Sequence, residues 1–235
     1  MAISNGDTYI GGETYTSGPT RVPCYWKNGV RNDIANLIES SGISVDGNDV
    51  YISGTSLASK VCYWKNGIVY EQSIKYDSGS ALSINVKNGS VRVSGFEIRY
   101  APTMIVVPCI WADGVRTELP IPEATHEQGM AHSVAVDGGD IYACGTSSPS
   151  SSAAAVSACY WKNGVRTDLP EISAAKSSTA SSIAVMDGTV YVAGYSCNDS
   201  GVSVPSYWEN DTRIDLPALD ATKHGSAREL FLYRR

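Results

Sequence analysis

Seven side chains in or beside the predicted loops combine flat aromatic rings with charged hydrogen-bonding groups. They are Phe96, Glu97, Arg99, Tyr100, His126, Glu127 and Tyr195. An aromatic ring can cover the apolar face of a sugar, and carboxylate, guanidinium or imidazole groups can bind its hydroxyls. These residue types therefore predict a small ligand-binding site, with carbohydrate as the favoured ligand class.

Catalysis by acidic residues has little support in the sequence. Glycoside-acting enzymes need paired carboxylates that flank the scissile bond. A pair would have to draw on Asp77, Glu97 or Glu127, because the position that opens the first strand of each repeat is acidic in only one of five copies: Gly42, Ser83, Ser133, Ser182 and Glu229. No GxSxG, Walker or dinucleotide-binding phrase occurs. We predict no catalytic residue.

Metal, cofactor and disulfide chemistry are not predicted either. There is no CxxC phrase and no histidine-rich cluster. Four of the six cysteines occupy the same slot in different repeats and should lie too far apart to pair: Cys24, Cys62, Cys109 and Cys159. Cysteine in such a slot behaves as a small apolar core residue. Cys144 and Cys197 fall near the starts of loops and are candidates for free thiols.

One repeated phrase indicates which elements must position these side chains. It reads CYWKNGVRNDI at 24–34, CYWKNGIVY at 62–70, CIWADGVRTELP at 109–120, CYWKNGVRTDLP at 159–170 and SYWENDTRIDLP at 206–217. Its tryptophans recur every 38 to 50 residues: Trp26, Trp64, Trp111, Trp161 and Trp208. Self-similarity at this period, with four short strands per unit, is typical of a β-propeller.

Each repeat predicts four antiparallel strands, named A to D in chain order. Asn-Gly, Asp-Gly and similar pairs mark two-residue A–B and C–D turns, because these residues tolerate positive φ angles. The B–C and D–A connections are longer and differ in every repeat, so we place the ligand site on their edge of the sheets. The repeated tryptophans are predicted to pack in the core, not to stack on a ligand.

We predict an all-β fold, with residues 1–235 forming a single five-bladed β-propeller of four-stranded antiparallel blades. Strands B, C and D occur five times, whereas six segments resemble strand A. We assign the inner strand of the first blade to Ser226–Tyr233, which would close the ring by pairing with Asp7–Gly12. The competing segment is Met1–Ser4, and a domain-swapped oligomer is the other way to use both. We expect a monomer.

Composition excludes several classes of partner. A net charge of −6 and a pI near 5.0 argue against nucleic-acid or anionic-membrane binding, which need clustered basic residues. No apolar run approaches the roughly 20 residues that span a bilayer. The first residues lack the basic start and apolar stretch of a secretory signal. A signal can be removed before maturity, so this leaves the compartment open.

Two stretches are similar to known repeat sequences: ASSIAVMDGTVYVAGYS at 180–196 and CYWKNGVRTDLP at 159–170. They resemble bacterial extracellular-type propeller repeats of the YWKNG kind and are similar, more loosely, to HAF repeats. The resemblance covers nearly the whole chain and implies a secreted or cell-surface setting more than an activity, with a cytoplasmic setting left open. The chain is also similar in architecture to tachylectin-type lectins, five-bladed propellers that bind amino sugars. It lacks their repeat wording, so no sugar-binding residue is carried over.

Three functional hypotheses remain. The preferred one is a non-catalytic binding module, with a glycan bound at the B–C and D–A edge. The alternative is a protein-interaction scaffold, which should present an extended apolar or charged patch instead of a small aromatic-floored cleft. The third is a glycoside-acting enzyme, which we disfavour for lack of a carboxylate pair.

Overall fold

The computed structural model describes residues 1–18, 20–102, 104–122, 127–149 and 155–233. This described part of the chain holds twenty β-strands and no helix. It separates into two compact units: Met1–Ala101 with Cys109–Thr117, and Pro102–Pro108 with Glu118–Arg235. The all-β prediction is therefore confirmed.

The first unit contains two complete four-stranded antiparallel sheets and most of a third group of four strands. The first sheet is β1 (Ala2–Ser4), β2 (Asp7–Tyr15), β3 (Arg21–Lys27) and β4 (Val30–Asp33). The second is β5 (Leu37–Asp46), β6 (Asp49–Ser56), β7 (Val61–Lys65) and β8 (Ile68–Glu71). The third group is β9 (Ser78–Lys87), β10 (Ser90–Arg99), β11 (Ile105–Ala112) and β12 (Val115–Glu118).

The second unit contains the fourth and fifth groups of strands. The fourth group is β13 (Glu127–Asp137), β14 (Asp140–Pro149), β15 (Ser157–Lys162) and β16 (Val165–Asp168). The fifth is β17 (Ser178–Met186), β18 (Thr189–Cys197), β19 (Ser203–Glu209) and β20 (Thr212–Asp215). A single parallel pair within this unit, Val106 with Gln128, joins β11 to β13. Each group has the A-to-D strand order that the repeat predicts.

The ten predicted two-residue turns are confirmed. The first residue of every turn has a φ between 46° and 60°: Asn5, Asn28, Gly47, Asn66, Asn88, Asp113, Gly138, Asn163, Asp187 and Asn210. Glycine follows in eight of them, also at positive φ. Paired positive φ angles give the type I′ turn, whose twist matches that of the flanking strands.

A hydrogen-bonded group that we call the turn latch explains why Lys and Asn precede Gly in the repeated phrase. In the first sheet, Asn28 Nδ2 donates to Asp7 Oδ1 at 2.6 Å, and Asn28 Oδ1 accepts from the Thr8 N–H at 2.9 Å. Lys27 Nζ lies 2.7 Å from Asp7 Oδ2 and 5.3 Å from the centre of the Tyr9 ring. The latch recurs at Asp49, Tyr51, Lys65 and Asn66, and at Asp140, Tyr142, Lys162 and Asn163.

The predicted core role of the tryptophans is confirmed for four of the five. Trp111, Trp161 and Trp208 are fully buried and Trp64 is 7% exposed, whereas Trp26 is partly buried. Three indole N–H groups donate to a carbonyl of the connection that precedes their strand group. The bonds are Trp111 to Ser73 O at 2.7 Å, Trp161 to Pro120 O at 2.7 Å and Trp208 to Pro170 O at 2.9 Å. The tryptophans therefore anchor the D–A connections.

The first sheet takes its inner strand from the N-terminal residues, which corrects one prediction. Ala2, Ile3 and Ser4 pair with the strand residues Asp7–Tyr9. The assignment of Ser226–Tyr233 to pair with Asp7–Gly12 is therefore wrong. A strand that is joined to its neighbour by a two-residue turn closes a very short loop, so its entropic cost is small.

The C-terminal segment instead lies against the fifth sheet, in the manner of an inner strand. Two of its hydrogen bonds repeat those that β17 makes with the fourth sheet. Gly225 N donates to Ser203 O as Ser178 N does to Val156 O, and Leu230 N donates to Ser182 Oγ as Ile183 N does to Ser133 Oγ. The sixth strand-A sequence thus retains the contacts of its type, although it forms no strand.

Candidate functional site

Glu97, a predicted ligand residue, is fully buried and bound within the first unit. Its carboxylate makes a two-point ion pair with Arg116, at 2.6 Å to Nε and 3.1 Å to Nη2. The N–H groups of Lys75 and Tyr76 donate to Glu97 Oε2, each at 3.2 Å. Both carboxylate oxygens are therefore committed to the fold. The ligand role of Glu97 stays a prediction, and its geometry favours a structural role.

Three further predicted residues lie on β10 or directly after it. Phe96 is partly buried, and it is a strand neighbour of Glu97, so the two side chains point to opposite faces of β10. Tyr100 is 57% exposed and its hydroxyl lies 3.1 Å from Ser78 Oγ. Arg99 is partly buried, and its Nε has no hydrogen-bond partner in the described residues. Their ligand roles stay predictions.

Two predicted residues cannot be placed with these. His126 lies outside the described residues, and of Glu127 only the backbone, at the start of β13, is described. Tyr195 lies on β18 of the second unit, where it is partly buried and pairs with Thr179 and Pro205.

A different group in the first unit brings two carboxylates to one guanidinium. Arg21 Nη1, on β3, lies 3.6 Å from Glu13 Oε2 on β2 and 3.6 Å from Glu39 Oε2 on β5. The side chains are 49% exposed for Arg21, 17% for Glu13 and 32% for Glu39. We call this group the acidic cleft. Its ion-pair contacts are longer than hydrogen bonds, and all three groups reach solvent.

Hydroxyl and backbone groups hold the Oε1 atom of each carboxylate, which we call the inner oxygen. The Oε2 atom, which is nearest to Arg21, is the outer oxygen. Glu39 Oε1 lies 2.9 Å from Thr55 Oγ1 and accepts from Ser80 Oγ at 2.6 Å. Glu13 Oε1 accepts from the Ser40 N–H at 3.2 Å. Thr55 and Ser80 are buried, so they hold Glu39 from the interior side. The inner oxygens are fixed, and the outer ones face Arg21 and solvent.

An irregularity in β5 positions Glu39. The pairing of β5 with β6 shifts twice, between Leu37 and Glu39 and between Ser40 and Gly42. The second shift has a counterpart in the inner strands of the other three groups with long inner strands, whereas the first occurs only here in the described pairings. An extra residue in one strand bends it and re-aims the neighbouring side chains. Ile38 is the extra residue and Glu39 is the side chain that follows it.

Tyr15 adds an exposed aromatic ring to the same edge. It is 65% exposed and stands directly opposite Arg21 in the β2–β3 ladder. Alternation along β2 puts Tyr15 on the same face as Glu13 and Gly11. A side chain at Gly11 would meet Ile43 of β5, so this face is turned toward the second sheet. Tyr15 therefore stands at the rim of the acidic cleft.

The seven ligand residues predicted from the sequence include neither Glu13 and Thr55, which directly follow a strand-B glycine, nor Arg21 and Glu39. Arg21 follows a B–C loop whose sequence differs from those of the other repeats, and Glu39 follows a D–A connection, which has no Asn-Gly or Asp-Gly turn signal. The available signal was the presence of two acids and an arginine at equivalent ends of neighbouring strands.

The groups of the acidic cleft can bind a ligand through hydrogen bonds. The outer carboxylate oxygens accept hydrogen bonds and the guanidinium donates them, which matches a pair of neighbouring hydroxyls on a ligand. Cleavage of a glycoside needs two carboxylates on either side of the scissile bond. In the acidic cleft, Arg21 occupies the space between the carboxylates.

The cysteines do not provide an alternative reactive centre. All six are buried free thiols, including Cys144 and Cys197, which the sequence placed near loops. Burial raises the pKa of the Cys62 and Cys159 thiols to about 12. The thiolate is the nucleophilic form, so at neutral pH these side chains are unreactive.

Among the described residues, no group of three or more His, Cys, Asp or Glu side chains could hold a metal ion. Within the same part of the chain, no helix has the length and apolarity needed to cross a membrane.

Comparison with known proteins assigns no family. No family model matches the sequence, and no curated protein matches it. Among solved structures, the chain is similar to a triple arginine-to-alanine mutant of AofleA from Arthrobotrys oligospora, with 12% identity over 88% of this chain and 69% of that one and a TM-score of 0.48. At that score the likeness assigns neither a fold nor a ligand to this chain.

Proposed function

We propose that the protein is a non-catalytic binding module whose ligand is a carbohydrate, held in the acidic cleft. One observation carries this proposal: Arg21 lies between two solvent-reaching carboxylates, 3.6 Å from each, on the edge that carries the B–C loops. Sugar hydroxyls can donate to the outer oxygens of Glu13 and Glu39 and accept from Arg21. Tyr15 offers a flat apolar face at the rim.

We also infer that the five strand groups form a five-bladed β-propeller in a secreted or cell-surface protein. The support is the repetition of one strand order and one set of turns in five consecutive groups. Such a scaffold holds loop residues rigidly, which lowers the entropic cost of binding at its rim.

The test is a glycan-array screen of the purified protein, followed by calorimetric titration of each hit. We expect at least one neutral glycan to bind, with one equivalent per chain, because the described residues contain one such cleft. The substitutions Arg21→Ala and Glu39→Gln should each weaken binding at least about tenfold, the loss expected when a charged hydrogen-bonding partner is removed.

A matched variant distinguishes this cleft from the site predicted by sequence. Combined replacement of Phe96, Tyr100 and Tyr195 by alanine should leave the affinity for the same glycan unchanged. If that variant loses binding while Arg21→Ala retains it, the sequence-predicted site is the correct one. If no glycan binds at high concentration, the carbohydrate proposal is wrong and the protein-interaction scaffold becomes the better hypothesis.

A further inference from the structure

We propose that the acidic cleft selects neutral glycans and rejects acidic ones, with Glu13 and Glu39 as the discriminating groups. This inference rests on the proposed function and concerns the class of sugar that the same cleft accepts. The two carboxylates and one guanidinium give the cleft a formal charge of −1. A ligand carboxylate placed among them would add a second unbalanced negative charge.

The hydrogen bonds of the cleft strengthen this selection. The inner oxygen of Glu39 is held by Thr55 and Ser80, and that of Glu13 by the Ser40 N–H. The carboxylates therefore cannot swing away from an approaching anion without losing partners. Arg21 is the only charged donor that the described structure places between them.

The Arg21 guanidinium is already partly engaged by the cleft, which weakens its recognition of an acidic sugar. Recognition of a carboxylate by arginine is strongest when both its forked N–H groups are available to one anion. Here Nη1 is already shared between two glutamates. A neutral diol has no such requirement, because one hydroxyl can donate to a glutamate while its neighbour accepts from the guanidinium.

The repulsion between the cleft carboxylates and an acidic sugar is large enough to measure. Two like charges a few ångströms apart near a protein surface repel strongly enough to reduce affinity by about tenfold or more. This repulsion is screened by salt, whereas the hydrogen bonding of a neutral sugar is much less so. The selection should therefore shrink as ionic strength rises.

The experiment titrates the full chain with pairs of methyl glycosides that differ only in oxidation of C6: glucoside with glucuronide, galactoside with galacturonide, and mannoside with mannuronide. We expect the best-bound neutral sugar to exceed its acidic partner by at least about tenfold at low salt. At about 0.5 M NaCl the ratio should fall to a few-fold. Glu13→Gln should also lower the ratio, because it removes one negative charge and retains the acceptor oxygen.

Asp33→Asn is the charge-matched control. Asp33 lies in the same unit on β4, is 66% exposed and pairs with Arg31 outside the cleft, so its replacement should leave the ratio unchanged. Equal affinity for both members of every pair, or tighter binding of the acidic member, overturns the inference and leaves the proposed function standing. Absence of binding by every sugar overturns both.

Discussion

Two arginine–glutamate contacts of the first unit use the same chemical groups in opposite ways. Arg116 meets Glu97 at 2.6 Å, with side chains 15% and 0% exposed. Arg21 meets Glu13 and Glu39 at 3.6 Å, and its side chain is 49% exposed. A buried charge pair needs all its hydrogen bonds to offset desolvation, whereas an exposed pair contributes little to stability and can exchange partners. Burial thus separates a structural contact from a candidate binding site.

The second unit has a serine at the position that is equivalent to Glu97. In the fourth group of strands, the residue two positions after the strand-B glycine is Ser147, and Arg166 Nη1 donates to its hydroxyl at 2.8 Å. Arg166 also contacts Asp168 on its own strand, as Arg213 contacts Asp215 in the fifth group. The equivalent arginine therefore contacts a buried carboxylate in the third group, where Arg116 binds Glu97, and a serine in the fourth.

The largest effect is expected from Glu97→Ala. It leaves the Arg116 guanidinium and two backbone N–H groups without their buried partner, so the free energy of unfolding should fall by about 3–5 kcal/mol. Urea denaturation followed by tryptophan fluorescence measures this. Glu97→Ser, which copies the fourth group, should lose less because it can still accept from Arg116. If Glu97→Ala lowered the free energy of unfolding by less than about 1 kcal/mol, the Glu97–Arg116 pair would contribute no more than an exposed ion pair does.

Arg21→Ala should show the converse pattern. The free energy of unfolding should change by less than about 1 kcal/mol, because exposed ion pairs contribute little. Affinity for the array-identified glycan should fall at least about tenfold. Calorimetry and urea denaturation on the same preparation check both numbers. Arg31→Ala, which breaks the exposed pair with Asp33, is the control and should alter neither. A large loss of stability in Arg21→Ala would remove the contrast between the two contacts.

Deletion of Ile38 tests whether the extra residue of β5 aims Glu39. The pairs Leu37 with Ser56 and Glu39 with Thr55 can both persist in a regular ladder without it. We expect glycan affinity to fall several-fold, with little loss of stability because Ile38 is 43% exposed. Ile38→Ala keeps the irregularity and should bind normally. Unchanged binding after the deletion would show that Glu39 does not depend on this irregularity.

The turn latches should give the smallest effect, because their lysine–aspartate pairs lie at the solvent-exposed turns. Hydrogen bonding to lysine lowers the pKa of Asp7, Asp49 and Asp140 below the ordinary value of 3.8. A lowered folded-state pKa stabilises the fold above 3.8, and this stability is lost as the pH falls through the folded-state pKa. Asp140→Asn should therefore destabilise slightly near neutral pH and flatten the acid decline, measured as urea midpoints from about pH 6 to pH 2. An unchanged acid decline would contradict the latch.

Local chemistry made the strands and turns predictable. Pairs of Asn, Asp and Gly tolerate positive φ angles by themselves, so all ten turns could be located without knowledge of tertiary contacts. The single-domain and five-blade predictions depend on how the groups of strands are arranged, and they stay predictions. The C-terminal prediction failed because two segments carry similar strand sequences, and only chain connectivity decides between them.

The binding residues were harder to predict because they depend on distant partners. Glu97 resembled a ligand residue in sequence, and its burial depends on Arg116, which is 19 positions away on another strand. Glu39 acquires its partners from β3, β6 and β9. Such convergence leaves no local pattern, since each residue occurs once and in a different sequence context.

The turn latches also affect the chemical ageing of the protein. Asparagine before glycine is the pair most prone to deamidation, in which the following backbone nitrogen attacks the side-chain amide. At Asn28 both amide atoms are engaged, Oδ1 by Thr8 and Nδ2 by Asp7, so the amide must break these bonds before it can react. Its conversion to aspartate would set two carboxylates against each other. The third group of strands already has aspartate there, Asp113, but it has Ser90 in place of the latch aspartate, and Asp113 pairs with Arg92 at 2.6 Å. The three latches that retain the aspartate therefore stay intact only while deamidation of their asparagine is slow.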